Sequence, residues 1–376
     1  MRSAWVRGVV AAATAAAFVG VAAPAQAGTV TTTLRVPLKG VTYDSQTQEN
    51  VAVAAVLNVV TKVSGSTANV HVNPQSGTGT GQTSGATYQV SGVSDSSIPV
   101  EPITPIDPID AQLQLHLPGN PIIPGNPVIP GNPIMPVGMV LSFNSGGQLT
   151  SATAQTESLW LAEDVGQSVT QTTTGGAVLA SLSPGAITGV ASSGTALYFG
   201  DEVGTITKRS LDGTTVLATI TTSATNPQDM AWDTTRGTLW RAETSPPVVE
   251  EIDPATGATL ASYALPATDA DPDLSPRYGN GVAYDPTRDL LYVSEIGASA
   301  GKGIVLAVNP ATGAVSELFR TASYSTFGLA YDHVTDSLWV GDQFSVHNVT
   351  LAGAVGATFS SSQASGAGID GVELVP

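Results

Sequence analysis

Five acidic residues recur at one place in a repeated phrase, three positions after an aromatic. They are Glu163, Asp201, Glu243, Glu295 and Asp342, in "LWLAE", "LYFGD", "LWRAE", "LYVSE" and "LWVGD". Carboxylates gathered on one face can ring an opening and attract a cation or a basic partner. At a strand end each can equally accept backbone N–H groups of its own turn, and presence in every copy suits that structural role. A second candidate is "TDADPDLSP", where Asp269, Asp271 and Asp273 alternate as the oxygen ligands of a calcium loop do. Leu274 replaces the turn glycine of a helix-loop-helix calcium site and Asn280 replaces its last glutamate. The stretch therefore reads as a solvated acidic loop, with a loose calcium site as the alternative. His71, His116, His333 and His347 lack metal-ligand spacing and read as exposed or structural. No glycine motif that would cradle a phosphate is present.

These residues must be positioned by strands. Short runs of Thr, Val, Ile, Tyr and Ser are broken throughout by Gly, Pro, Asn and Asp, and no window carries a helical period. From Glu157 onward a repeat appears, clearest in "DMAWDTTRGTLWRAE", "GVAYDPTRDLLYVSE" and "GLAYDHVTDSLWVGD". Each copy is a strand, a turn opened by Asp233, Asp285 or Asp332, and a second strand holding the aromatic. A third strand and a hairpin follow, as in "EEIDPATGATLASYALP". Four short strands every ~40–50 residues predict a β-propeller, because one four-stranded blade cannot bury both faces alone. The aromatics Trp160, Tyr198, Trp240, Tyr292 and Trp339 then pack between neighbouring blades. The first copy lacks an inner strand, and "GIDGVELVP" at the C-terminus is a first strand without a second. The two partial ends complete one blade, giving five. A sixth would require the Met139–Ala154 hairpin to join the ring.

Before the repeat, "ENVAVAAVLNVVTKV" with "ANVHVNP" predicts a hairpin, "GATYQVSGV" a strand, and "VGMVLSF" with "QLTSATA" a second hairpin. These segments predict a small antiparallel β domain over 28–156, carrying a proline-rich excursion over 98–136. The tract "LPGNPIIPGNPVIPGNPIMP" suits an extended polyproline II form better than a chain of type II turns, because each Asn and Ile before a proline is steered away from helix. The excursion is expected along the wall of the first domain, and it lacks the arginines that flank proline-motif ligands.

The first 27 residues fit a secretory signal: Arg2 and Arg7, an apolar run, then Ala25-Gln26-Ala27. Without the two arginines the net charge of −17 becomes about −19. The chain has no cysteine, so disulfides and thiolate metal sites are excluded. An anionic surface disfavours nucleic acid, and no apolar run after the signal reaches the ~20 residues a membrane helix needs. The expectation is an exported, monomeric protein, extracellular or, in a Gram-negative source, periplasmic.

The motifs "LYVSE", "LWVGD" and "NGVAYDPTRDLLYVSE" resemble the YWTD, NHL and gluconolactonase-type propeller superfamily over 157–376. The residues that open the first strands, Thr188, Gln228, Asn280, Phe327 and Asp370, fall at the channel mouth. In gluconolactonase-type members an Asn-Gly and an Asp-Gly at such positions hold a divalent cation. The resemblance so implies Asn280 and Asp370 as calcium ligands, with Glu163 or Gln228 adding oxygen; Phe327 departs from the pattern, and the family's N-terminal metal glutamate is not evident. The principal functional reading is non-enzymatic binding or scaffolding of a protein, glycan or small molecule through the face carrying the five carboxylates. Its rivals are a calcium-dependent lactone or ester hydrolase and a structural surface or matrix component.

Overall fold

The computed structural model describes residues 29–44, 46–99, 109–116, 134–163, 166–224, 226–297, 302–321, 324–361 and 368–375. The signal stretch and the proline tracts at 100–108 and 117–133 lie outside the described residues.

The first unit is one eight-stranded sheet: β1 (Val30–Asp44), β2 (Glu49–Ser64), β3 (Thr67–Gly81), β4 (Thr87–Ser91), β5 (Ser94–Pro99), β6 (Ile109–His116), β7 (Ile134–Phe143) and β8 (Leu149–Thr156). The order is β2-β1-β8-β7-β6-β4-β3-β5, and β3 also pairs with β2, so the sheet closes on itself as a barrel. Closure leaves few open edges, which is how a small all-β unit avoids templating aggregation. Alternation along β2 sends Val51, Val53, Leu57, Val59 and Val63 inward. They meet Leu113, Leu115, Met135, Met139 and Leu141 from β6 and β7. Two features differ from the sequence expectation. The sheet is not wholly antiparallel, since β1 runs parallel to β8 at Leu38 and Ala154. The proline-rich excursion is also interrupted: β6 lies inside it, paired with β4 and β7.

Residues beyond Glu157 form five four-stranded sheets among the described residues. The first chain segment supplies β9 (Ser158–Glu163), β10 (Ser168–Thr172) and β11 (Val178–Leu182). The second blade is β12 (Gly189–Ser192), β13 (Leu197–Gly200), β14 (Thr205–Arg209) and β15 (Val216–Thr221). The third is β16 (Pro227–Asp233), β17 (Thr238–Glu243), β18 (Val248–Ile252) and β19 (Thr259–Ala264). The fourth is β20 (Arg277–Asp285), β21 (Leu290–Gly297), β22 (Gly303–Val308) and β23 (Val315–Thr321). The fifth is β24 (Leu329–Asp332), β25 (Ser337–Gly341), β26 (Ser345–Thr350) and β27 (Val355–Ser360). The last strand, β28 (Gly371–Val375), pairs with β9 and becomes the inner strand of the first blade. The ring is a five-bladed propeller closed by its C-terminus; the Met139–Ala154 hairpin belongs to the barrel.

The repeat aromatics lie inside this ring. Tyr198 stacks on Trp232 of the next blade at 5.3 Å between centroids, and Tyr292 meets Tyr331 at 5.7 Å. Trp160 and Trp240 are fully buried. Such contacts join blades by area and by ring geometry together.

The propeller has two faces. Its front carries the turns from second to third strand; its back carries the turns from first to second and from third to fourth. The barrel sits on the back. Thr173 Oγ1, in the β10–β11 turn, lies 2.9 Å from Asn50 Oδ1. Gly175 lies against the Tyr43 ring, where an added Cβ would come within 2.1 Å. Gly194 and Leu211 of the second blade face Gly138, Val140 and Thr153 of the barrel.

Candidate functional site at the propeller axis

In four of the five blades a glycine directly follows the mouth residue at the inner strand: Gly189, Gly281, Gly328 and Gly371. The strands converge so closely there that side chains do not fit. A Cβ on Gly371 would come within 2.9 Å of Gly189 Cα, and one on Gly281 within 2.1 Å of the Phe327 carbonyl. The third blade departs from the column with Asp229. Its fully buried carboxylate fills the axis and accepts N–H groups from three blades: Met230 at 2.9 Å, Val190 at 3.3 Å and Leu329 at 2.9 Å. Val372 of β28 adds a fourth backbone donor. Burial pushes the Asp229 carboxyl well above the usual range, while the four N–H donors favour its charge.

Behind this plug, on the back face, a cavity of about 320 Å³ opens on the axis. Glu373 of β28 lines it, with Oε1 accepting the Ser192 N–H at 2.9 Å. Burial, and then the charge of Asp229, push the Glu373 carboxyl well above its ordinary value. Trp232, Tyr284 and Tyr331 supply aromatic walls, and His333 stands at the rim. Each aromatic is the penultimate residue of its first strand, directly before the aspartate that opens the turn. Gly194 lines both this cavity and the barrel cleft, so the barrel flanks the pocket.

The rim is held by a repeated clasp. Asp233 and Asp285 each cap their own turn, accepting N–H groups from Thr235 and Arg236, and from Thr287 and Arg288. Arg236 then forks onto Asp289 of the next blade at 2.7 and 2.8 Å, and Arg288 onto Asp336 at 2.8 and 2.7 Å. Tyr284 donates its hydroxyl to Asp289 at 2.9 Å and Tyr331 to Asp336 at 2.8 Å. Both phenolic oxygens are thereby tied into the rim.

The five carboxylates singled out in the sequence lie at the front. Asp201 caps its own turn through the N–H groups of Val203 and Thr205. The others have partners elsewhere. Glu163, buried and with its carboxyl raised by that burial, accepts from Ser361 at 3.0 Å. Glu243 pairs with the buried Arg241 at 3.1 Å. Glu295 is fully buried against Arg277, and burial lifts its carboxyl to about 7 although the guanidinium opposes this. Asp342 lies 3.6 Å from His347 Nε2. No three His, Asp or Glu side chains among the described residues come together as a metal set.

In the acidic loop, Asp269 is bound by Arg320 at 3.0 Å and approached by Arg277 at 3.4 Å. Lys302 bridges Asp271 and Asp273 at 3.1 and 2.7 Å. Arg320 beside Asp269 holds that carboxyl down at about 2. At the mouth, Asn280 is buried and its Oδ1 has no hydrogen-bond partner among the described residues. Gln228 and Asp370 are half-buried, and the Asp370 N–H donates to the Ala162 carbonyl at 2.9 Å. Asp229, Glu373 and the three aromatics are not among the residues that the repeat singles out. The signal was the one aspartate in a column of glycines, together with the repeated Ala-(Trp/Tyr)-Asp.

No protein-family model and no curated protein matches the sequence. Among solved structures, a chain of a nidogen/laminin complex is 20% identical with a TM-score of 0.37, covering 64% of this chain and 95% of that one. A gluconolactonase from Xanthomonas campestris is 17% identical with a TM-score of 0.38, covering 55% and 72%. Hydrazine synthase from Kuenenia stuttgartiensis is 13% identical with a TM-score of 0.37, covering 64% and 90%. The fold stands on the connectivity of the sheets themselves.

Proposed function

We propose that this is an exported binding protein whose propeller takes a small ligand in the axial pocket of its back face, with the barrel as a flanking wall. The observation that carries this reading is the pocket's construction: aromatic walls and one carboxyl within, close enough to the buried Asp229 to feel its charge. Ligand sites are typically such concavities, mostly apolar with a few placed polar groups. The absence of cysteine and the acidic balance suit a soluble exported protein, and mass spectrometry of secreted protein should find a chain beginning at Gly28. The binding reading is tested by incubating immobilised protein with extracellular extract and identifying retained small molecules by mass spectrometry. Wild type should retain a compound that the folded Trp232→Ala/Tyr331→Ala variant does not. Equal retention by both overturns the pocket assignment.

A second reading attaches to the front mouth, favoured by the unpartnered Asn280 Oδ1. A buried oxygen in that state suits a hard cation such as calcium, with Asp370 and Gln228 as further oxygen donors. A bound calcium would polarise a lactone or ester carbonyl. Calcium-dependent turnover of a lactone and ester panel, lost in Asp370→Ala, supports it. No turnover and no calcium-dependent shift in Tm overturn it.

A further inference from the structure

We propose that the axial pocket is specific for an organic cation, a small amine or quaternary ammonium group, seated between Trp232, Tyr284 and Tyr331 with Glu373 as its counter-charge. The inference rests on the pocket being a binding site and adds the chemical class of the ligand. Three observations converge on it. Among the described residues, those lining the pocket include no lysine or arginine, and Glu373 is the one acidic side chain. The nearby guanidinium groups of Arg236 and Arg288 are consumed in two-pronged pairs with Asp289 and Asp336. The aromatic walls present carbon: the Tyr284 and Tyr331 hydroxyls are tied into the rim, and one face of Trp232 is stacked on Tyr198. Aromatic rings beside a desolvated carboxylate attract a cation through the ring quadrupole and by direct pairing. A neutral ligand gains nothing from the second contribution.

The charge state of Glu373 gives a readout that simple occupancy does not. The groups facing it are Asp229 from β16, the Ser192 N–H from β12, Tyr284 from β20, Tyr331 from β24, His333 from the β24–β25 turn and Trp160 opposite it on β9. Burial, and then the charge of Asp229, raise the Glu373 carboxyl against the Ser192 N–H that favours its charge, so the empty pocket shifts Glu373 towards its protonated form. A cation entering the pocket reverses that preference. Binding should therefore release close to one proton and strengthen as pH rises.

The test uses isothermal titration of the full mature chain with choline, its uncharged carbon analogue 3,3-dimethylbutanol, and methyl β-glucoside, in two buffers of different ionisation enthalpy. Choline should bind at least tenfold more tightly than either neutral probe and release about one proton per site. Glu373→Gln keeps the shape and neutrality of the protonated side chain, so it should fold as wild type, weaken choline at least tenfold and abolish the proton release. His333→Gln should leave the proton release intact. Tighter binding of dimethylbutanol or glucoside, lost in Trp232→Ala, overturns the cation inference and leaves pocket binding standing. No binding by any probe overturns the cation inference, and the extract retention experiment then decides the binding reading separately.

Discussion

Asp229 of the third blade accepts the backbone N–H of Leu329 of the fifth at 2.9 Å, across the axis of the propeller. One side chain so ties together inner strands that have no ladder between them. Removing it strands several buried N–H donors, each costing roughly 1–3 kcal/mol if unmet. Asp229→Gly restores the glycine column and is the more telling variant than Asp229→Ala. Both should lose about 3–5 kcal/mol in urea unfolding, the range seen when one partner of a buried charged interaction is removed. A glycine variant as stable as wild type would show that the carboxylate is incidental to closure.

The blades were legible because each copy repeats the same local phrase, and the ring closure because the half-blade at Leu159 and the lone strand at Val372 complement each other. The barrel was less legible. Its closure depends on β1 meeting β8, more than a hundred residues apart, and nothing local announces such a pairing. The strand β6 was hidden by prolines on either side, although Ala111, Leu113 and Leu115 alternate inward as a strand requires. At the site, the front carboxylates are legible because every blade shares them, whereas Asp229 is not, because that residue is the exception. Charge neutralisation was only partly visible: Arg241 lies two residues before Glu243 on the same strand face, whereas Arg277 reaches Glu295 only through strand pairing.

The rim clasp predicts an ordering of variants. Asp289 and Asp336 adopt positive φ, 50° and 51°, at the position where the third blade has Gly237 at 69°. Holding an L side chain there costs about 1 kcal/mol. Asp289→Ala keeps that cost and loses the Arg236 fork, whereas Asp289→Gly loses the fork and the cost together. Glycine should therefore be the milder change by about 1 kcal/mol in thermal unfolding. The fork itself, half exposed, should contribute no more than ~1 kcal/mol in a double-mutant cycle and weaken with salt. Equal losses for the two variants would place the strain elsewhere.

Glu295 predicts a pH dependence of opposite sign to ordinary acid unfolding. Its carboxyl is lifted from 4.5 to about 7 in the folded chain. Between those values the folded state holds a proton that the unfolded state has released. Stability from this group is therefore full below 4.5 and falls as pH rises towards 7, by up to about 3 kcal/mol. Depressed carboxylates such as Asp269, at about 2, work the other way and matter only as pH falls below 3.8. Urea midpoints of wild type and Glu295→Gln should diverge in favour of the variant from pH 4.5 to 7.5. A constant difference across that interval would mean that Glu295 is ionised throughout, paired with Arg277.

Stopping the chain after Asp370 removes β28 and should open the propeller while sparing the barrel. The strand buries Val372 and Leu374 against Leu159 and Leu161, pairs with β9 along its length and supplies one of the N–H groups on Asp229. Among the described residues the hydrophobic core of the barrel draws on none beyond Ala154, so its packing does not depend on this strand. Thermal melts followed by circular dichroism should separate into two transitions, with the propeller transition moved to lower temperature. Limited proteolysis should then leave a protected fragment ending near Thr156. A synthetic peptide spanning Ile369–Val375 should restore part of the lost stability when added in trans, because the gap beside β9 has the shape and hydrogen-bonding edge of the missing strand. The same peptide with Gly371→Val should not, since a Cβ there would come within 2.9 Å of Gly189 Cα. A truncated chain that melts as wild type, or equal rescue by both peptides, would count against the C-terminal strand as the closure of the ring.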